Sequence, residues 1–256
     1  MLPLDPSQWA LLGAAALAAG LIDAMVGGGG LIQLPVMFTA LPQALPALLL
    51  GTNKLAALAG TAGAAWHYAR HKPPPWKVVL PATLLAFVGA AAGAWAVTHV
   101  PAAPLRLALP WILLALLLYT AFSSAGTEHD PHPDRRRNTR VAGVGAGAIG
   151  FYDGFLGPGT GAFLKLLYTR GLGFDFLHAA APAKLGNVAS NVAALIVFIA
   201  QDAVDWRLGL WMAACNFTGG QLGSRIALAR GSVFVRRCFL LLVGLLVIKT
   251  FDDAYF

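Results

Sequence analysis

The chain repeats itself at a constant offset of 130 residues, and this repeat constrains the fold more than any other feature. The matched positions include residue types that are scarce in the chain, namely Asp23 with Asp153, Lys54 with Lys184 and Trp76 with Trp206. Matches among glycine, alanine and leucine carry less weight, because these residues are abundant here. The sequence is therefore a duplicated unit, with copies at about 9–123 and 139–250.

Composition places both copies in a membrane. Hydrophobic residues make up 58% of the chain and charged residues 11%, whereas about a quarter of the residues of a soluble domain are charged. Apolar runs such as 78–97 and 105–122 reach the roughly 20 residues that cross a bilayer as a helix. The net charge of +7 lies in loops and at helix ends, which is typical of a topological signal. We predict an all-α polytopic membrane protein that contacts the lipid bilayer and no nucleic acid.

Each half is predicted to contain about five helical segments. The first segment of each half runs into a glycine-rich stretch, and the others are expected at 31–41 and 160–170, 46–70 and 178–200, 76–99 and 206–229, and 104–123 and 232–250. We assign residues 1–123 to the first transmembrane repeat, 124–138 to a linker and 139–256 to the second repeat.

Loop charges predict that the two repeats are inverted. The loop at 69–77 is basic, whereas the equivalent loop at 200–207 is mostly acidic. Because basic loops stay in the cytoplasm, we expect 69–77, the linker and 225–237 inside, and 200–207 and both termini outside. Inverted repeats are typical of secondary transporters, whose substrate site lies near the bilayer midplane where the repeats meet. A membrane scaffold with a fortuitous repeat is the alternative.

The glycine-rich stretches predict broken helices. Four glycines at 27–30 disfavour helix continuation, and Pro158 removes a backbone donor from the second copy, GFLGPGTGAFLK at 154–165. Such backbone at membrane depth must line a cavity or contact protein. Helices restarting near Leu31 and Gly161 would offer free N–H groups to an anion. The alternative is that these glycines only let helices touch, as is expected of the G-x-x-x-G pairs at 89–93 and 219–223.

Buried charges point to the same two stretches. Lys54 and Lys184 lie in apolar segments, where a charge costs about 2.5–3.5 kcal/mol or more. Two hypotheses remain open: the lysines bind an anion, or each pairs with the aspartate of its own half, Lys54 with Asp23 and Lys184 with Asp153. The candidate substrate-binding residues are Gly27, Gly28, Gly29, Gly30, Thr52, Asn53, Lys54, Gly157, Gly159, Thr160, Gly161, Lys184, Asn187 and Asn191. Asp23 and Asp153 are the candidate coupling residues.

Other polar residues give weaker signals. His67, Gln33, Asn216 and Gln221 lie within predicted helices and could line a path, although a lone polar residue there more often satisfies a hydrogen bond between helices. Lys165 has no equivalent in the first half, where Pro35 stands, so any role for it would be asymmetric. Cys215 and Cys238 lie in apolar runs and predict neither a disulfide nor a metal site. The chain shows no Walker motif, metal-ligand spacing or nucleophile elbow. We therefore expect no enzyme activity and no cofactor or metal.

The same residues resemble the TauE/SafE family of sulfite exporters. The resemblance rests on VGGGGLIQLPV at 26–36, GTNK at 51–54 and HYARHKPPPWK at 67–77. It continues in the second copy with FLGPGTGAFL, PAKLGNVASN and VDWRLGL, at 155–164, 182–191 and 204–210. It implies transport of small sulfur-containing or organic anions, such as sulfite or C2 sulfonates, without an ATPase subunit.

We therefore predict a secondary anion exporter of a bacterial-type inner membrane that works by alternating access, with proton coupling as a further hypothesis. A passive anion channel and a non-transporting accessory or assembly subunit are the alternatives. The glycine- and alanine-rich helix faces permit a homodimer.

Overall fold

A computed structural model describes residues 4–71, 73–101, 135–174 and 178–230, together with isolated positions at 111, 114, 115, 118, 248 and 252. The described helices are α1 (Pro6–Met25), α2 (Gly30–Ala40), α3 (Pro46–His71), α4 (Trp76–Thr98), α5 (Arg135–Phe155), α6 (Thr160–Leu166), α7 (Ala180–Ala200) and α8 (Trp206–Arg230). A π-helical turn at Leu167–Gly171 extends α6. Within these residues the protein is all-helical, as predicted. The fifth predicted segment of each half lies outside the described residues, apart from isolated positions.

Local sequence sets where the first helix begins. Asp5 accepts a hydrogen bond from the Gln8 N–H at 2.8 Å, and the Gln8 side chain accepts one from the Asp5 N–H at 3.1 Å. Pro6 follows at the first helical position, where its missing N–H costs nothing. This reciprocal cap satisfies two backbone donors that the helix ladder leaves unpaired.

Both glycine-rich stretches interrupt the helices, as predicted. α1 ends at Met25 and α2 begins at Gly30, while α5 ends at Phe155 and α6 begins at Thr160. Gly27 and Gly157 adopt φ angles of +95° and +91°, which residues with a Cβ rarely adopt. These two residues therefore turn the chain out of the helix in each half.

The two halves exchange their helices. The first helix of one half packs against the fourth helix of the other, so α1 contacts α8 and α5 contacts α4. A Cβ at Gly89 or Gly93 would collide with the backbone of α5, and one at Gly219 or Gly223 with the backbone of α1. This confirms that these G-x-x-x-G pairs bring helices into close contact.

α3 and α7, equivalent in the two halves, cross the centre of the bundle in opposite directions. Along α3, Lys54 contacts Asp153 and Thr61 contacts Asp23. Along α7 the order is reversed, since Lys184 contacts Asp23 before Ser190 reaches Asp153. The ends of α1 and α5 are thus joined to both central helices.

The described helices suit a bilayer. α1, α4 and α7 are each long and apolar enough to cross it. On α4, Leu80, Leu84 and Val88 form a stripe of exposed apolar side chains at four-residue spacing. α5 begins at Arg135, so its first turn lies in the segment that we assigned to the linker.

Candidate functional site

A polar cavity lies between the two helix breaks. The volume open to the centre of a water molecule is about 30 Å³. Most of the predicted site residues line it: Asp23, Gly27, Gly29, Gly30, Asn53, Lys54, Asp153, Gly157, Gly159, Thr160, Gly161, Asn187 and Asn191. Four further residues also line it: Gln33, Ala57, Thr61 and Asn216. The fold therefore brings residues from both halves to one place.

The two breaks touch each other. The Ala162 N–H donates to the Gly27 carbonyl oxygen at 2.8 Å. A Cβ on Gly161 would lie 2.7 Å from the Gly27 Cα, and one on Gly30 would lie 3.2 Å from the Pro158 Cα. Because of this close approach, the broken backbone is held by protein on one side and lines the cavity on the other, as helix breaks at depth require.

The buried lysines pair with the aspartates of the opposite half. The Lys54 ammonium lies 2.8 Å from Asp153, and the Lys184 ammonium lies 2.6 Å from Asp23. Our hypothesis that each lysine pairs with the aspartate of its own half is therefore wrong, because each pairs with the aspartate of the other half. The correction has a physical reason: α3 and α7 lie side by side in opposite directions, which places each lysine next to the helix end of the other repeat.

The two aspartates have different surroundings. Asp153 is 2% exposed and accepts hydrogen bonds from the Thr160 and Ser190 hydroxyl groups in addition to its lysine. Asp23 is 13% exposed and receives one hydroxyl donor, from Thr61 at 3.1 Å. Both hydroxyl groups on Asp153 replace glycines of the first half at the repeat offset. Asp153 is thus more completely satisfied than Asp23.

The first turn of α2 leaves two backbone donors of cavity-lining residues outside the helix ladder. Its first regular helical hydrogen bond runs from the Gln33 N–H to the Gly29 carbonyl oxygen, at 3.1 Å. The N–H groups of Gly29 and Gly30 precede this bond and have no acceptor within the helix ladder. The positive end of the helix dipole adds to their attraction for an anion.

Gln33 and Asn216 form a cavity-lining pair that spacing did not single out. The Asn216 Nδ2 group donates to Gln33 Oε1 at 2.9 Å, although the residues are 183 positions apart. Both side chains are buried. Their polar character inside apolar segments was the available signal, but the sequence could not show that they meet.

Three predicted site residues do not line the cavity. Gly28 lies in the turn between α1 and α2. Thr52 faces the residue that precedes α8, since its hydroxyl accepts from the Asp205 N–H at 2.9 Å. Lys184 reaches the cavity only through Asp23, to whose backbone oxygen it also donates. A further buried lysine, Lys165, donates to the Met25 carbonyl oxygen at the end of α1.

Comparison with known proteins identifies the family of this chain. A family model described as sulfite exporter TauE/SafE matches residues 12–250. The chain belongs to the TauE/SafE family. No solved structure matches it.

Relatives of this TauE/SafE protein cover nearly its full length. A probable membrane transporter protein of Sinorhizobium, ORF9, is 39% identical over 95% of this chain and 92% of its own. A probable membrane transporter protein of Haemophilus influenzae is 32% identical over 96% of each chain. The probable membrane transporter protein YfcA of Escherichia coli K12 is 33% identical over 94% of this chain and 88% of its own. The protein is therefore an integral membrane protein of a transporter family.

Proposed function

We propose that this protein is a secondary transporter that exports small anions by alternating access. The observation that carries the proposal is the polar cavity in which both helix breaks, a buried lysine and the first turn of α2 converge. Substrate sites of secondary transporters commonly lie at such discontinuous helices, between repeats. Lys54, the backbone of the glycine-rich stretches and the amides of Asn53, Asn187 and Asn191 would contact the anion. The substrate class, small sulfur-containing or organic anions such as sulfite or C2 sulfonates, comes from the family resemblance.

The size of the cavity favours the smallest of these anions. A water molecule needs about 10–15 Å³ of the volume open to its centre, so the cavity of about 30 Å³ holds about two waters. A single-centre oxyanion such as sulfite matches this space better than a C2 sulfonate. A larger substrate would bind only in a more open state of the alternating cycle.

Charge balance favours coupling to a proton. Lys54 and Lys184 are each paired with an aspartate, so the four groups together carry no net charge. An anion entering this site adds an uncompensated buried charge, which is strongly unfavourable. If Asp23 takes up a proton as the anion enters the cavity, the net charge stays the same. Anion and proton would then move together in the same direction, so export would be driven by the outward concentration gradient of the anion and would carry protons out with it.

The repeats are proposed to be inverted across the membrane. The opposite directions of α3 and α7 support this arrangement, since equivalent helices of parallel repeats would run the same way. The basic residues at 69–77 and in the linker support a cytoplasmic location for both segments.

The test is uptake of labelled sulfite, and separately of a C2 sulfonate, into proteoliposomes containing the purified protein. We expect saturable uptake that an inwardly directed proton gradient accelerates. The combined Lys54→Ala and Lys184→Ala variant should lose most of it, whereas Lys77→Ala, an exposed lysine outside the cavity, should transport like wild type. Equal rates in the double variant and wild type would remove the lysines from the site.

The same assay separates the rival functions. Rates that rise linearly with concentration and ignore the pH gradient would indicate a passive channel. A purified protein that moves no small anion, yet binds another membrane protein stably, would indicate an accessory subunit.

A further inference from the structure

One cavity-lining side chain keeps an unused donor. Gln33 is 1% exposed and lines the cavity. Its Oε1 accepts from Asn216, but its Nε2 group has no hydrogen-bond partner among the residues that the structure describes. A buried amide donor without a partner destabilises a fold unless a ligand or water pairs with it. The contact with Asn216 fixes the amide so that the donor side stays free.

The position of Gln33 on α2 is the second observation that favours a binding role for this donor. Gln33 lies three and four residues after Gly30 and Gly29, so the three residues share one face of the helix. Helical side chains lean toward the N-terminus, so the Gln33 side chain extends toward the end of α2 at which those glycines lie. All three residues line the cavity. One face of α2 therefore presents two backbone donors and one side-chain donor.

We propose that Gln33, oriented by Asn216, is an anion-binding residue that completes a three-donor face with the Gly29 and Gly30 N–H groups. This proposal rests on the anion-transport function proposed above and names the part of the site that holds the oxyanion. Three convergent donors match the several oxygen atoms of one pyramidal or tetrahedral oxyanion. Lys54, on α3, lines the same cavity, with its ammonium group paired with Asp153.

The second half has no counterpart of this face. At the repeat offset, Phe163 corresponds to Gln33 and Ala86 corresponds to Asn216. Phe163 instead packs edge-to-face against Tyr152, with ring centres 5.6 Å apart. The donor face is therefore one-sided, so a single oxyanion binds off-centre, toward α2 of the first half.

Two variants test the role of Gln33. Gln33→Glu keeps the shape and the acceptor for Asn216 but removes the donor and adds a negative charge. Gln33→Met removes the polar group without adding charge. Thr83→Val is the matched control, because the Thr83 hydroxyl is another buried polar group that meets no partner within the described part of the chain, and it does not line the cavity. The readouts are the sulfite-dependent rise in melting temperature of the purified protein and the KM for sulfite uptake into proteoliposomes.

Loss of one hydrogen bond to an anion weakens its binding by about tenfold or more. We expect that loss in Gln33→Met, a larger loss in Gln33→Glu, and wild-type values in Thr83→Val. If either folded Gln33 variant binds and transports sulfite like wild type, the proposal for Gln33 is wrong while the transport function stands. If wild type itself neither binds nor moves any small anion, the transport function and this proposal both fail.

Discussion

The cross-half ion pairs can be tested by a double-mutant cycle. Lys54 and Asp153 are each 2% exposed, and removing one member of a buried pair costs about 3–5 kcal/mol. We expect the loss of stability in Lys54→Met to lie near the lower limit of this range, because Asp153 keeps the hydroxyl donors of Thr160 and Ser190. The loss for Asp153→Leu should lie near the upper limit, because Lys54 has no other acceptor among the described residues.

The double variant should recover most of this loss. Two apolar side chains leave no charge unpaired. The hydroxyl groups also keep acceptors, since Thr160 donates to the Gly157 carbonyl oxygen and Ser190 to that of Asn187. We therefore expect a coupling free energy of at least about 3 kcal/mol between the two sites.

The assay is thermal unfolding of the purified variants in one detergent. For a chain of this size, 1 kcal/mol corresponds to about 2–4 °C in melting temperature, so the single variants should melt about 6–20 °C lower. The control cycle combines Lys54→Met with Asp23→Leu, a pair that shares no contact and should couple by less than about 1 kcal/mol. Stronger coupling of Lys54 to Asp23 than to Asp153 would refute the cross-half pairing.

Three further predictions follow from single residues. Gly157→Ala should lower the free energy of unfolding by about 2–4 kcal/mol, because its φ is positive and the new Cβ would lie only 2.9 Å from the buried Lys54 ammonium group. Gly147→Ala is the control: its new Cβ would lie 3.6 Å from the nearest atom, so it should be near neutral in the same melting assay. Asp23→Asn should transport sulfite without responding to a proton gradient, and a retained response in proteoliposomes would exclude Asp23 as the coupling residue. Hydrogen bonds from the Ser7 hydroxyl and the Gln8 backbone amide hold the pKa of Asp5 below its ordinary value. The cap therefore stabilises the fold above about pH 4 and loses this contribution as the pH falls through the folded pKa. Asp5→Asn should abolish this acid-dependent part of the change in melting temperature.

The sequence by itself determined the features that depend on local backbone chemistry. Glycines and proline break the helices at 26–29 and 156–159, because no tertiary contact is needed to disfavour helix there. The repeat offset likewise showed that both halves carry the same break and the same buried charges. These features sufficed to predict an all-helical membrane protein with a site at the two breaks.

Only the tertiary structure decided which groups meet. From the sequence we offered Asp23, in the same half, as the partner of Lys54, whereas the crossing of α3 and α7 places Lys54 beside Asp153. Thr52 was predicted in the site from its neighbourhood to Lys54, but the helix turns its hydroxyl toward Asp205. Gln33 and Asn216 meet across the two halves, where no periodicity links them. Local rules fix the backbone of each segment, whereas the partner of a buried polar side chain is set by packing between segments that are distant along the chain.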